Sequence, residues 1–262
     1  MSDFEDHYKD IVRTILEHGE ERHTRNGVTF GTSGFNHNLD LTTNHLPIIT
    51  GRKIFVAGVL GEFAAFMRSP KHVDDFTKWG CNYWSKWADE DGSLNLDYGN
   101  LWFDYHGFNQ WEWLVNEITH NPSSRRLVMY GSDPSNTSVS LPSCHVLYQF
   151  YVTGDGTLHL TWYQRSVDVM IGLPSDYLLA TLMLEQMCRS TGRISGVISM
   201  LLGDCHIYEE HLEAAREYLE TETYDLPTYS VIPTCDDPLF RPEWLSLYDY
   251  KHSPAIKFEL KA

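Results

Sequence analysis

Residues 141–177, LPSCHVLYQFYVTGDGTLHLTWYQRSVDVMIGLPSDY, decide how the chain folds and where its chemistry lies. β-branched and aromatic residues dominate 148–152 and 157–163, and Gly154-Asp155-Gly156 between them is typical of a tight hairpin turn. The pattern predicts two strands joined by that turn. Gly172-Leu173-Pro174 then breaks the second strand, so we expect a loop to follow it.

Reactive side chains stand at the neighbouring ends of these two predicted strands. Cys144 enters the first strand behind Pro142, and Arg165, Ser166 and Asp168 leave the second. A thiol, a guanidinium and a hydroxyl at adjacent strand ends can form one pocket, whose positive charge favours a thiolate and an anionic substrate. The stretch therefore predicts a nucleophilic cysteine whose pKa is lowered by Arg165, next to an anion site.

Length and composition bound the class of protein. With 262 residues, 42% of them hydrophobic, the chain can bury one large core, and we expect a single domain over 1–262. No apolar run approaches the roughly 20 residues of a membrane helix, and the start, MSDFEDHYKD, is unlike a signal peptide. These features predict a cytoplasmic protein that needs no membrane.

Cysteine usage and charge argue against further classes. The five cysteines form an odd set without CxxC spacing, so we predict reduced thiols, no disulfide framework and no metal site. The net charge of −16, from 20 Lys and Arg against 36 Asp and Glu, disfavours general binding to nucleic-acid backbones. A small anionic substrate remains compatible with a few arginines held locally.

The central stretch and several motifs elsewhere resemble thymidylate synthase and its relatives that modify pyrimidine nucleotides at C5. The ordered matches are Cys144-His145 with Gln149-Phe150, YQRSVDVMIGLP at 163–174, GDCHIY at 203–208, Arg25 with Gly27, Glu62, Trp84 and Trp87 before ADEDG at 88–92, Tyr98-Gly99 with Trp102, Ser124-Arg125-Arg126, and Pro254 with Ile256-Lys257. The resemblance covers nearly the whole chain. It implies an α+β fold, with a large mixed β-sheet flanked by helices, and a sheet-to-sheet homodimer.

The resemblance also implies a role for each site residue. Cys144 adds to C6 of the pyrimidine beside Arg165, and C5 then attacks the one-carbon unit of 5,10-methylenetetrahydrofolate. Glu62 organises water and proton transfer, and Tyr98 is a proton-relay hydroxyl. The implied substrate-binding residues are Arg25 on the phosphate, Arg125 and Arg126 reaching the phosphate of the other subunit, Gln164, Arg165, Ser166, and His206 with Tyr208 on the sugar 3′-hydroxyl. The implied folate-binding residues are Trp84, Trp87, Asp168, Gly172 and Asp204.

The patterns outside the central stretch predict further elements and leave some alternatives open. On pattern alone, Arg25 is equally a solvated turn residue, Glu62 equally a surface carboxylate, and a histidine such as His206 more often structural. The predicted elements are an N-terminal helix over 3–22 ending near Gly19, a buried helix from Lys53 to Met67, a helix bearing Trp84 and Trp87, a strand within 121–131 whose adjacent arginines point to opposite faces, a helix over Tyr177–Ser190 ended by Gly192, and a strand, a Gly203-Asp204 turn and a helix over 194–220.

Asp176 departs from the resemblance, because thymidylate synthases place an asparagine at this position. Uracil offers an N3–H donor and an O4 acceptor, whereas cytosine offers an N3 acceptor and a 4-amino donor. A carboxyl group matches cytosine by donating to N3 and accepting from the amino group, and its proton also activates C6 toward Cys144. We therefore expect dCMP to be preferred to dUMP. The alternative is that Asp176 only caps the helix that follows.

The sequence is compatible with two products and several rival functions. Hydride transfer to the exocyclic methylene gives 5-methyl-dCMP, and water addition gives 5-hydroxymethyl-dCMP. Asp176-Tyr177 resembles phage deoxycytidylate hydroxymethylase, whereas Trp84 and Trp87 resemble the water-excluding wall of the synthases, so we expect methylation. The rivals are an ordinary thymidylate synthase, a catalytically silent nucleotide- or RNA-binding relative, and a Cys144-His145 protease dyad. The dyad is disfavoured because successive strand side chains diverge.

Overall fold

The secondary structure is known for residues 3–232 and 238–261, which a computed structural model describes. The helices are α1 (Asp3–His18), α2 (Val56–Phe66), α3 (Val73–Thr77), α4 (Asn100–Phe103), α5 (Gln110–His120), α6 (Gly172–Thr191) and α7 (Leu212–Leu219). The strands are β1 (Glu20–Thr24), β2 (Gly27–Asp40), β3 (Val128–Tyr130), β4 (His145–Val152), β5 (Thr157–Asp168), β6 (Ile194–Tyr208), β7 (Thr228–Val231) and β8 (Leu245–Tyr248). Cys235 lies outside the described residues.

A six-stranded mixed sheet in the order β1-β2-β6-β5-β4-β3 organises the molecule. β5 and β6 are parallel, and the other neighbours in this sheet are antiparallel. Helix α6 packs on β5 and β6, α1 packs on β2, and α2 packs on α6. The predicted α+β fold, a large mixed sheet flanked by helices, is confirmed. No helix in the described ranges has the length and apolar character that a membrane span requires.

The two faces of the sheet differ in character. Alternate side chains such as Trp162 of β5 and Met200 of β6 are buried beneath the helices. Their neighbours on the other face remain accessible: the exposed fraction is 65% for Tyr151, 39% for Tyr163 and 40% for Leu201. Tyr163 and Leu201 are direct partners across β5 and β6. One face of the sheet therefore holds the core, and the other presents large apolar side chains.

The predicted hairpin is confirmed, and its strands extend further than the sequence pattern indicated. β4 begins at His145 and β5 continues to Asp168, with the turn closed by the Gly156 N–H donating to the Thr153 carbonyl at 3.0 Å. The loop expected after the second strand is present but covers only residues 169–171, because Gly172 already opens α6. Pro174 fits in the first turn of that helix, where backbone N–H groups have no intrahelical acceptor. The helix ends at the predicted Gly192, which is left-handed with φ +66°.

Strand pairing explains the outcome of two other predictions. The N-terminal helix ends near Gly19 as predicted, at His18, but the helical spacing that was expected as far as residue 22 gives way to a strand, because Glu20–Thr24 pair with β2. The Gly203-Asp204 turn is wrong, since β6 runs unbroken from Ile194 to Tyr208. Gly203 instead permits close approach: a Cβ there would lie 2.6 Å from the Arg165 carbonyl oxygen.

The structure also changes two predictions about the secondary-structure elements on which site residues lie. Arg125 and Arg126 precede β3 in an exposed loop, so the expectation that strand geometry points them to opposite faces does not apply. Trp84 and Trp87 lie on a short 3₁₀ turn, Trp84–Trp87, which is the helix that the sequence predicted in a tighter form. The buried helix expected from Lys53 to Met67 is confirmed as α2.

Gly99 offers a test of how tightly the backbone beside Tyr98 is packed. Its φ is +73°, and a Cβ there would lie 2.2 Å from the Phe66 carbonyl oxygen. Gly107 has a similar φ of +85°, and a Cβ there would meet nothing within 4 Å, so it is a matched control. We expect Gly107→Ala to cost about 1–2 kcal/mol of unfolding free energy and Gly99→Ala about 3–5 kcal/mol, measured by urea denaturation. Equal losses would contradict the close contact.

Candidate active site

Cys144 lies where the ends of β4 and β5 meet. The Arg165 N–H donates to the Cys144 carbonyl at 2.9 Å, and the Cys144 N–H donates to the Tyr98 hydroxyl oxygen at 2.7 Å. The Arg165 guanidinium donates to the carbonyls of Ser143 and Pro142, each at 2.8 Å. The strand ends therefore bring the predicted nucleophile, guanidinium and tyrosine together.

The thiol of Cys144 is less acidic than the sequence predicted. Burial raises its pKa, while the charge of Arg165 and a hydrogen bond with Tyr98 lower it and the charge of Asp176 raises it further. The lowering by Arg165 is as expected, but the prediction of a net lowered pKa is wrong because burial outweighs it. Cys144 is therefore a thiol at rest, and it must lose its proton before it can act as a nucleophile.

Asp176 is held by two side chains from facing strands. Its Oδ1 lies 3.0 Å from His145 Nε2, and its Oδ2 accepts from Gln164 Nε2 at 2.6 Å. His145 of β4 and Gln164 of β5 are direct cross-strand partners, and all three side chains are buried. The capping alternative is wrong, because Asp176 lies in the second turn of α6 and its carboxyl oxygens contact other elements. His145 pairs with Asp176, which also disfavours the Cys144-His145 protease dyad.

Gln164 carries an unused acceptor beside this carboxyl group. Within residues 3–232 and 238–261, its Oε1 is buried and has no hydrogen-bond partner, while its Nε2 is committed to Asp176. Buried polar atoms rarely stay unpaired, and those that do are explained by strain, function or a missing ligand. Together, Asp176 and Gln164 Oε1 form a polar edge next to Cys144.

Glu62 is buried on α2, so the surface alternative is wrong. Trp84 Nε1 donates to Glu62 Oε1 at 2.7 Å, and Tyr83 is also hydrogen-bonded to this carboxyl group. Burial raises the pKa of Glu62 to about 7, although these two hydrogen bonds oppose the rise. The carboxyl group is therefore able to hold or release a proton near neutral pH.

Tyr98 is packed between α2 and β4. Its ring stacks on Phe66 with centroids 5.4 Å apart and meets His145 edge-on at 5.1 Å. Burial raises the pKa of Tyr98 well above its usual value. Its hydroxyl stays protonated, and it contacts the backbone of the nucleophile directly.

A cavity of about 310 Å³ is lined by Arg165 but not by Cys144, whose carbonyl accepts the Arg165 N–H. It brings together six of the predicted site residues with Arg22, Thr24, Asn26 and Thr29; the six are Arg25, Arg165, Ser166, Asp204, His206 and Tyr208. Arg25 is exposed at its rim and donates from Nε to Asn26 Oδ1 at 3.1 Å. Arg22 was not singled out by its sequence, because its stretch was assigned to the N-terminal helix.

The residues expected to bind folate fall into two groups, those that lie outside the 310 Å³ cavity and one that lines it. Trp84 is buried and Trp87 partly buried, with ring centroids 5.3 Å apart, and the buried Trp87 Nε1 has no partner among the described residues. Asp168 accepts the N–H groups of Met170 and Ile171 at 2.9 and 3.1 Å, and burial raises its pKa. Asp204, in contrast, lies in the 310 Å³ cavity.

Gly172 leaves space between two acidic side chains. A Cβ at this position would lie 3.5 Å from Asp176 Oδ2 and 4.0 Å from Asp168 Cβ. Arg125 and Arg126 lie outside the residues that line the cavity. Among the described residues, no group of three or more His, Cys, Asp or Glu could hold a metal ion, and Cys81, Cys144, Cys188 and Cys205 are free thiols.

Comparison with known families adds an independent observation to this geometry. Residues 6–262 match the family described as thymidylate synthase, and the chain belongs to that family. Members are one-carbon transferases that modify a nucleotide monophosphate at C5 with methylenetetrahydrofolate as cofactor. The residues present fit this cofactor, because Trp84 and Trp87 offer aromatic surface and Trp87 Nε1 is a donor with no partner in the described part of the chain.

The raised pKa of Glu62 predicts a specific pH dependence of stability. Because the folded-state pKa of about 7 lies above the ordinary 4.5, the folded protein binds this proton more tightly, and unfolding free energy is lost as pH rises between these values. Glu62→Gln stays neutral and avoids that loss. From pH 5 to pH 8 we expect the variant to gain about 2–3 kcal/mol relative to wild type, measured by urea denaturation.

The matched control for this experiment is Glu213→Gln, which replaces an exposed carboxylate on α7 and corrects for the general effect of a lost charge. If the difference between Glu62→Gln and wild type were the same at both pH values, after this correction, Glu62 would not carry a raised pKa.

Proposed function

We propose that this protein methylates dCMP at C5 to give 5-methyl-dCMP. The observation that supports this proposal best is the buried contact of Asp176 with His145 and Gln164, next to Cys144. When bound, 5,10-methylenetetrahydrofolate supplies the one-carbon unit and the hydride that completes the methyl group. The remaining chemistry belongs to the side chains of the protein.

Base selection follows from the polar edge that Asp176 and Gln164 form. Cytosine needs a donor for N3 and an acceptor for its 4-amino group. In its protonated form the Asp176 carboxyl group supplies the donor for N3. The second Asp176 oxygen and Gln164 Oε1, which has no hydrogen-bond partner among the described residues, are acceptors. Uracil presents the opposite pattern. Each group left unpaired by the wrong base costs about 1–3 kcal/mol, which favours dCMP over dUMP.

The nucleophilic step joins Cys144 to C6 of the base. Cys144 gives its proton to solvent water, and the sulfur–C6 bond forms as the electron pair of the C5–C6 double bond shifts to make C5 nucleophilic. N3 takes the proton from Asp176, which is left as a carboxylate. Arg165 stabilises the thiolate that burial otherwise disfavours. After C5 has acquired the one-carbon unit, it gives its own proton to Glu62. The hydride that the folate would supply completes the methyl group, the C5–C6 double bond re-forms as the sulfur–C6 bond breaks, and Cys144 leaves as a thiolate that takes up a proton from solvent while N3 returns its proton to Asp176.

Glu62 and Tyr98 manage protons around the ring in this proposal. Trp84 donates to one carboxyl oxygen of Glu62 and so orients this side chain. The Glu62 pKa of about 7 suits a group that both accepts and returns a proton. Tyr98 keeps its hydroxyl proton and contacts Cys144 through the backbone. These positions support roles as a general acid–base and a proton relay.

The nucleotide is gripped at its phosphate and sugar. Arg25, Arg165 and Ser166 line the same cavity and supply the donors that a phosphate requires, while His206 and Tyr208 contact the sugar 3′-hydroxyl. We propose a sheet-to-sheet homodimer, supported by the exposed Tyr151, Tyr163 and Leu201 face. In it, Arg125 and Arg126 of each subunit reach the phosphate bound by the other.

The second candidate function is dCMP hydroxymethylation. The Asp176-Tyr177 pair favours it, because it resembles the hydroxymethylases. The aromatic wall of Trp84 and Trp87 favours methylation, since excluding water from the exocyclic carbon prevents hydroxyl addition. An ordinary thymidylate synthase and a silent nucleotide- or RNA-binding relative fit less well, given Asp176 and the assembled Cys144, Arg165 and Tyr98.

The setting of the protein is part of the proposal. A single domain over 1–262, acting in the cytoplasm without membrane, metal or nucleic acid, accounts for the features of the sequence. A dCMP-modifying enzyme would suit a virus that alters its own DNA, in which case the compartment is the host cytoplasm.

Substitution of Asp176 tests base selection. We expect wild-type kcat/KM to be about 10- to 100-fold higher for dCMP than for dUMP, and Asp176→Asn to reverse the preference because a carboxamide matches uracil. The control is Glu62→Gln, which removes another buried carboxyl group and should lower both activities without reversing the ratio. Equal or better use of dUMP by the wild type would overturn the proposed substrate.

The mass of the product separates the two candidate functions. With dCMP and 5,10-methylenetetrahydrofolate, we expect wild-type protein to form 5-methyl-dCMP, and Trp87→Ala to release a larger share of hydroxymethyl product because water gains access. Mass spectrometry distinguishes the products by one oxygen atom. A wild-type product that carries this oxygen would show that the protein is a hydroxymethylase.

A further inference from the structure

Arg22 reaches across β2 to contact Asp204 on β6. It lies on β1 opposite Thr29, and its Nη1 donates to Asp204 Oδ2. Asp204 Oδ1 is 3.0 Å from His206 Nδ1, and all three side chains line the 310 Å³ cavity. The three residues form a connected row, Arg22–Asp204–His206, which we name the cavity row.

Gly31 makes this crossing possible. It pairs with Glu20 on one side and His206 on the other. A Cβ at Gly31 would lie 3.0 Å from Arg22 Nη2 and 3.1 Å from His206 Cβ. The absence of a side chain therefore leaves a passage through which the guanidinium reaches the carboxylate.

The cavity row has a chemical consequence for His206. A hydrogen bond from His206 and the charge of Arg22 lower the pKa of Asp204, so it is a carboxylate that only accepts hydrogen bonds. In neutral His206 the proton therefore resides on Nδ1, and Nε2 has a free lone pair. That nitrogen accepts from a hydroxyl group but cannot donate to one.

We propose that Arg22 is a positioning residue for nucleotide recognition, which acts through Asp204 to fix His206 in the Nδ1–H tautomer. In this tautomer His206 Nε2 accepts a hydrogen bond from the sugar 3′-hydroxyl group. The inference rests on the proposed function in taking a nucleoside monophosphate as the ligand and His206 as a contact of its sugar 3′-hydroxyl, and it holds for either base. It assigns a role to a residue of β1 that touches neither base nor nucleophile.

A binding cycle separates positioning from general attraction of an anion. Dissociation constants are measured by calorimetry for dCMP and 2′,3′-dideoxycytidine monophosphate, and for the matching uridine pair, with wild type and Arg22→Gln. Loss of a positive charge weakens the binding of both ligands of a pair alike, whereas loss of His206 positioning weakens only the binding of the ligand that carries a 3′-hydroxyl. We expect Arg22→Gln to cost the hydroxyl-bearing ligand about fivefold more than its partner.

Two further variants are controls for this binding experiment. Arg25→Gln removes a cation from the same cavity without contacting Asp204, so we expect equal losses for both ligands of a pair. Arg22→Lys retains an ion pair with Asp204 and should recover most of the 3′-hydroxyl discrimination. Equal losses with Arg22→Gln would overturn the inference. If the protein bound the matching uracil nucleotides more tightly than the cytosine nucleotides, this result would count against dCMP as substrate. The comparison of ligands with and without the 3′-hydroxyl would still decide the role of Arg22.

The tautomer itself is visible by ¹⁵N NMR of histidine-labelled protein, with the His206 signals assigned by their loss in His206→Gln. We expect wild-type His206 to carry its proton on Nδ1 with a bare Nε2, and Arg22→Gln to show a mixture of tautomers. A wild-type His206 protonated on Nε2, alone or together with Nδ1, would overturn the inference.

Discussion

The hydrogen bonds that hold Asp176 are the constraint on which the rest of the site depends. A carboxyl group on α6 is buried between His145 and Gln164, which face each other across β4 and β5. An unpaired carboxylate in this environment would be costly, so the strands and the helix must meet in this register. The same register sets Cys144 beside Arg165 at the strand ends. Fold stability and the proposed selection of the base therefore depend on the same arrangement.

Burial of the ionisable side chains helps the proposed proton transfers at one residue of the site and hinders them at another. Burial raises the pKa values of Glu62, Tyr98 and Cys144, which keeps protons on groups to which the proposed reaction assigns proton transfer. For Glu62 this is suited to catalysis near neutral pH, whereas for Cys144 it makes the resting thiol less reactive. In the proposed reaction Arg165 and protonation of N3 compensate, since the guanidinium stabilises the thiolate and the proton on N3 makes C6 more electrophilic. Reaction at Cys144 is thus linked to a base that accepts the proton of Asp176.

Local patterns in the sequence predicted the hairpin, the buried helix with Glu62 and the helix end at Gly192, because each depends on neighbouring residues. The family resemblance supplied the fold and the set of site residues. Long-range contacts could not be read in this way. Residues 20–24 continue a helical pattern but pair with β2, and Gly203 resembles a turn residue although it lies in close contact with β5. Burial of Cys144 and the pairing of His145 with Asp176 likewise depend on tertiary packing.

A crystal structure of the protein with dCMP tests the central claim most directly. The account predicts Asp176 within hydrogen-bond distance of N3 and the 4-amino group, Gln164 Oε1 facing that amino group, and Cys144 Sγ next to C6. If Asp176 contacted only His145 and Gln164, and the cytosine edge faced other side chains, the carboxyl group would not select the base and the account would be contradicted.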